Sequence, residues 1–148
     1  MLARGITGFW THGDDPPPAV DFLRFKSACF AATRELGWQV TAIKTAGVTP
    51  NFHAAQLHGS TPLWAICNNA HPIVGLLTRP PSPGSLAWGD QPALARGFEA
   101  AGFTVASATS LARSAESADL SALDPAEIEQ VRYWSPSTIG EVIFHWWD

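Results

Sequence analysis

The sequence predicts an α+β domain with a largely antiparallel sheet, and three observations carry that prediction. Residues 38–78 form a series of short apolar segments separated by turn residues, and connections that short join antiparallel neighbours. Helical periodicity flanks this region on both sides, and two well-marked helix starts follow near residues 124 and 138. The resulting order is β-α-β-β-β(β)-α-β-α-α, a sheet of about five or six strands with helices packed on one face and two C-terminal helices. At 148 residues the chain fits one domain, residues 1–148, because a core of this size buries roughly two-thirds of the unfolded surface and seldom splits. A hydrophobic fraction of 46% with only 15% charged residues excludes a disordered chain.

Taken in order, residues 2–10, "LARGITGFW", mix β-branched, aromatic and glycine residues and predict a first strand closed by the loop "THGDDPPP". From Asp21, the apolar residues Phe22, Phe25, Cys29, Ala32 and Leu36 recur at spacings of three and four, and Gly37 suits a helix C-terminus. In "WQVTAIKT", Trp38, Val40 and Ala42 alternate with Gln39 and Thr41, although Ile43 breaks the alternation. "NFHAAQLHG" and "PLWAICNNAHPIVGLLT" supply two or three more strands, and "PPSPG" at 80–84 is a surface loop. After a short "SLAWGD" strand, Asp90 or Gln91 caps a helix opening at Pro92 and ending at Gly102; "FTVASAT" returns as a strand, and "SLARSAESADLS" reads as loop.

The final two helices are the best marked. In "LDPAEI", Asp124 caps, Pro125 takes the first helical position, Glu127 completes a capping box and Leu123 staples to Ile128. Thr138 and Glu141 form a second box that opens "TIGEVIFHWWD". Eleven residues make a helix of roughly 15 Å, half the hydrocarbon thickness of a bilayer, so it cannot span one. Ile139, Val142, Ile143 and Trp146 then face inward, while Phe144 and Trp147 cover a neighbouring element.

Charge narrows the partners. A net charge of −4 with nine scattered basic residues argues against nucleic acid, whose phosphates call for clustered Lys and Arg. The opening residues lack the uninterrupted apolar region of a secretory signal, and Cys29 and Cys67 sit in apolar contexts that suit reduced, buried thiols, so a cytoplasmic protein without membrane contact is expected. His53 and His58 lie five apart in one strand and face opposite sides, so they form no metal site, and neither phosphate-binding glycine pattern occurs; no metal or cofactor is expected.

Two groups could support catalysis. Cys67 and His71 in "CNNAH" form a thiol–imidazole pair that Asn68 or Asn69 could orient, against the plainer and favoured reading of a buried structural cysteine beside a turn. His12, Asp14 and Asp15 in "HGDDPPP" could act as acid and base, against the plainer reading of a solvated loop. Residues 114–131 hold five carboxylates, Glu116, Asp119, Asp124, Glu127 and Glu129. With Asp14 and Asp15 they form a candidate acidic surface for a basic partner, where the plainer reading is a solvated helix face.

The C-terminal string resembles the ends of small bacterial immunity proteins that protect against toxins of polymorphic or contact-dependent systems. Tyr133, Trp134, Pro136, Ile139, Gly140, Glu141, Trp146, Trp147 and Asp148 carry the resemblance, with "RGITGFW" as a weaker second match. It covers about one-seventh of the chain. What the resemblance implies is a protein that binds and blocks a cognate toxin without catalytic residues of its own. The rivals are a small enzyme using His12, Asp14 and Asp15 or Cys67 and His71, and an oligomer subunit whose surplus tryptophans are buried between copies.

Overall fold

The computed structural model describes residues 1–148. Six strands form one sheet: β1 (Gln39–Lys44), β2 (Phe52–His58), β3 (Pro62–Asn68), β4 (Ile73–Leu77), β5 (Trp88–Gly89) and β6 (Thr104–Val105). The first five pair antiparallel in sequence order, while β6 lies parallel to β4 at its Ile73–Val74 end. Five helices accompany them: α1 (Phe22–Leu36), α2 (Pro92–Ala100), α3 (Ala108–Ala112), α4 (Pro125–Trp134) and α5 (Ile139–Ile143). This is the α+β class that the sequence predicts. No helix is long and apolar enough to cross a membrane.

Helices cover both faces of the sheet, not one. Ala55, Leu57, Ala65, Cys67, Val74 and Leu76 meet Phe25, Ala28, Cys29 and Ala32 of α1 and Leu94 and Phe98 of α2 in one core. Phe52, Ile66 and Leu77 point the other way into a second core with Ile6, Leu111 of α3, Leu123, and Ile143 and Phe144 at the end of α5. The runs "WAIC" and "IVGLL" are apolar at consecutive positions, the pattern of strands buried on both faces, and this is the signal that a one-faced arrangement overlooks.

The irregularity at Ile43 has a local cause. Val40 pairs with Leu57 and Ala42 with Gln56, so Thr41 is an extra residue in the ladder. A bulge of this kind shifts the side-chain alternation by one. Val40 and Ile43 consequently both pack against the first core, and Ala42 is exposed.

No strand forms at residues 2–10. The segment is a succession of turns in which Gly5 and Gly8 have φ of 89° and 84°. A Cβ on Gly5 would lie 2.6 Å from Pro17 Cβ, so both its backbone angle and its neighbour require glycine. The segment's backbone groups are taken up by side chains distant in sequence. His71 Nε2 donates to Arg4 O at 2.7 Å and Asn68 Nδ2 to Ile6 O at 2.8 Å. Glu127 accepts from Gly5 N, Thr7 N and Thr7 Oγ1 at 2.8, 3.0 and 2.6 Å.

The helix boundaries follow their caps. Asp21 accepts from Leu23 N and Gly37 closes α1 with a φ of 70°. Gln91, rather than Asp90, caps α2; Asp90 Oδ1 instead accepts from Ala108 N and helps start α3, which forms with a short 3-10 turn (Ala115–Ser117) where a loop is expected. The Asp124–Glu127 box opens α4 as its spacing predicts. At α5, Thr138 accepts from Glu141 N, but Glu141 Oε2 reaches Ser137 N, one residue before the box position. Gly140 is needed because a Cβ there would sit 2.6 Å from the Trp88 ring.

The last helix is five residues, not eleven. Past Ile143 the chain turns extended at Phe144, and His145 exchanges bonds with Asn51: Asn51 N donates to His145 O at 3.1 Å and His145 N to Asn51 Oδ1 at 2.9 Å. These long-range bonds replace the ladder that a continuing helix would form. Val142, Ile143 and Phe144 are buried, and Trp146 meets Phe52 edge-on at 5.2 Å.

Candidate functional site

A cleft of about 680 Å³ opens where the turn-rich segment 6–19, the loop 47–51, the turn after β3 and the extended residues 145–148 meet. Trp10 and Val48, 45% and 91% exposed, stand on its walls with Phe9, Pro16, Pro17 and Pro18. Its polar lining includes Thr7, His12, Asn51, Asn68, Asn69, His145 and Asp148, and none of the nineteen lining residues is Lys or Arg.

The buried polar side chains here hold the walls in place. Asn68 Nδ2 also donates to Ile143 O, at 2.8 Å, and its Oδ1 accepts from Ala70 N and His71 N, both at 2.9 Å. Asn51 Nδ2 donates to Ile143 O at 3.0 Å. For His145, Nδ1 accepts from Trp147 N at 3.2 Å and Nε2 faces Thr7 O at 2.9 Å, which assigns the proton to Nε2. Strands, loop and extended end are thereby joined through three side chains.

His145 is also the centre of a stack. Its ring lies 4.0 Å from Trp147 at an interplanar angle of 7°, and Phe9 flanks it at 6.2 Å. Trp147 in turn runs parallel to Trp134 at 6.2 Å, and Tyr133, 77% exposed, meets Trp134 edge-on at 5.3 Å. A continuous line of rings thus leads from the cleft wall to the surface of α4.

Burial holds the His145 pKa at about 4, below its ordinary 6.5, against the opposing effect of the Thr7 carbonyl. The unfolded chain therefore binds this proton more tightly than the folded one. Stability from this group is complete above about pH 6.5 and declines as pH falls toward 4, by up to ~3 kcal/mol. Urea unfolding across pH 7.5 to 4.5 should show that slope, and His145→Gln should remove it; an unchanged slope in the variant would assign it elsewhere.

The structure separates the carboxylates that the sequence groups together. Glu116, Asp119, Glu129, Asp14 and Asp15 are exposed, whereas Asp124 and Glu127 are 5% and 0% exposed. Those two are internal anchors and present no charge to a partner. Asp124 receives the Thr11 hydroxyl, which with Ala126 N holds its carboxyl below the usual range, and it pairs with Arg4 at 3.4 Å. Hydrogen bonds from Ser121 lower Asp119 similarly. Asp14 and Asp15 lie in sequence between His12 and Pro16, both cleft-lining residues, and neither is itself part of the lining.

The thiol–imidazole pair does not assemble. Cys67 faces the α1 core, its Sγ directed at Asn68 O at 3.4 Å, while His71 Nε2 is engaged by Arg4 O. Desolvation pushes the Cys67 thiol up to about 12 and raises Cys29 further, so neither forms a thiolate near neutrality. Alkylation of both by iodoacetamide should be slow in native protein and rapid in denaturant; fast native labelling of Cys67 would contradict this. His53 is likewise structural, with Nδ1 accepting from Ala46 N and Nε2 facing Val20 O, and no group of three or more His, Cys, Asp or Glu side chains is placed to hold a metal ion.

Asn51 is a cleft residue that sequence reasoning misses, and Asn68 enters it only as a candidate to orient His71, because asparagines after a strand or a proline read as turn formers. The one available signal was the doubled asparagine in "CNN", directly following a fully apolar run. Comparison of the chain with protein-family models, curated proteins and solved structures finds no match.

Proposed function

We propose that this protein is a binding protein of the immunity type, which occupies and blocks a cognate protein toxin and performs no chemistry itself. One observation carries the reading: the buried polar side chains of its cleft, Asn51, Asn68 and His145, give their hydrogen bonds to backbone groups of the cleft's own walls. A site so built is a rigid surface with an aromatic lip. Preorganisation of this kind favours affinity, because little freedom is lost on binding. Exposed Trp10 and Tyr133 are of the residue types that dominate binding energies at protein interfaces. The resemblance at residues 133–148 supports the same reading, since Trp147 and Asp148 line the cleft.

The test is to look for a toxin domain encoded in a neighbouring gene and to co-express it with this protein. Growth rescue together with a one-to-one complex on gel filtration is the expected outcome. Killing that proceeds unabated in the presence of folded protein would overturn the proposal.

A further inference from the structure

The geometry points to a more specific occupant: we infer that the cleft is a socket for a lysine or arginine side chain carried on a polypeptide segment of the partner, an inference that rests on the binding function above. Charge is the first argument. Asp148 lines the cleft, Asp14 and Asp15 are exposed on the loop between lining residues His12 and Pro16, and no Lys or Arg offsets them within the lining. Arg4 donates to the Asp15 carbonyl outside the lining, so Asp148 is the charge that a cation entering the cleft meets directly.

Aromatic character is the second. Trp10 is 45% exposed on the cleft wall, so part of its ring remains open for a cation to approach. Indole is the best of the side-chain partners for such a contact, and guanidinium groups use it most often.

The third concerns a donor left without an acceptor. Trp134 gives its indole N–H to Gln130 Oε1 at 3.1 Å, but Trp147, nine-tenths buried and lining the cleft, has no hydrogen-bond acceptor for its own within the chain. No fully buried side-chain nitrogen or oxygen lacks a partner, so this N–H keeps some exposure to solvent. A backbone carbonyl satisfies it, and a carbonyl next to a cationic side chain is what a basic peptide segment presents. The volume of about 680 Å³ lies within the ~300–1,000 Å³ typical of enclosing pockets and accommodates one long side chain with its adjoining backbone.

The experiment follows the indole N–H resonances of the seven tryptophans during titration with acetyl-Gly-Arg-Gly-amide and, separately, with the citrulline counterpart, which keeps the shape and loses the charge. The Trp10 and Trp147 signals are expected to move saturably with the arginine peptide, and at least ~10-fold more weakly with citrulline, as loss of an aromatic- and carboxylate-bound cation implies. Replacing all three exposed carboxylates (Asp14→Asn, Asp15→Asn and Asp148→Asn) should reduce the arginine response at least ~5-fold with signal dispersion unchanged. Equal response to both peptides, or none at Trp10 and Trp147, overturns the socket. If growth rescue succeeds while neither peptide binds, the socket is wrong and the binding function stands. If the arginine peptide binds selectively but no toxin is neutralised, the socket stands and the function assigned above falls.

Discussion

Deleting Trp146 to Asp148 is expected to abolish cooperative folding. Trp146 closes the second core against Phe52, and Trp147 covers the His145 ring at 4.0 Å while its backbone N–H occupies His145 Nδ1. Loss of one large buried aromatic side chain costs ~3–5 kcal/mol, and losing Trp147 together with the partly buried Trp146 removes much of the ~5–15 kcal/mol that holds a domain folded. The two costs are coupled through His145, so the sum is not strictly additive. Near-ultraviolet circular dichroism and urea unfolding of the truncated chain test this. Retention of a sharp transition near the full-length midpoint would make these residues dispensable to the scaffold and return them to the set of contact residues.

Glu127→Ala is the second change with a large expected effect, a loss of ~3–5 kcal/mol in stability. The carboxylate is fully buried and accepts from Gly5 N, Thr7 N, Thr7 Oγ1 and Asp124 N. Alanine leaves those donors without an acceptor in a space that the carboxylate had filled. Glu129, exposed two residues further along α4, provides the comparison: its alanine variant should change stability by no more than ~0.5 kcal/mol. Amide exchange should accelerate at Gly5 and Thr7 in the Glu127 variant before it does so in β2 and β3. Exchange that rises uniformly would mean that the residue does not act through the turn-rich segment.

The contrast between those two glutamates shows where the sequence was legible. Local rules found the α1 stripe, the Gly37 terminus and the Asp124–Glu127 box, since each depends on residues within four positions of one another. The same rules located β2, β3 and β4 by their apolar runs and turns. They misread residues 2–10 because that segment satisfies its backbone through Glu127, Asn68, His71 and His145, contacts across more than sixty residues that leave no periodic trace. They overextended the last helix for a related reason: Asn51 pulls His145 into an extended pairing that no helix propensity anticipates. In the candidate site, Asp14 and Asp15 were visible as acidic residues. The cleft whose lining flanks them in sequence was not, because its walls come from four separate stretches of chain.

Trp10 is where scaffold and function are most cleanly separable, being part of the cleft wall yet nearly half exposed. The most direct measurement is the affinity for the toxin that the proposed function calls for, compared between Trp10→Ala and the unsubstituted protein, with thermal midpoints recorded for both. A loss of at least ~30-fold, the scale of an interface hot spot of about 2 kcal/mol, with the midpoint unchanged is the result this structure leads us to expect. Equal affinities for the two proteins would contradict the assignment of the cleft as the surface that meets the partner.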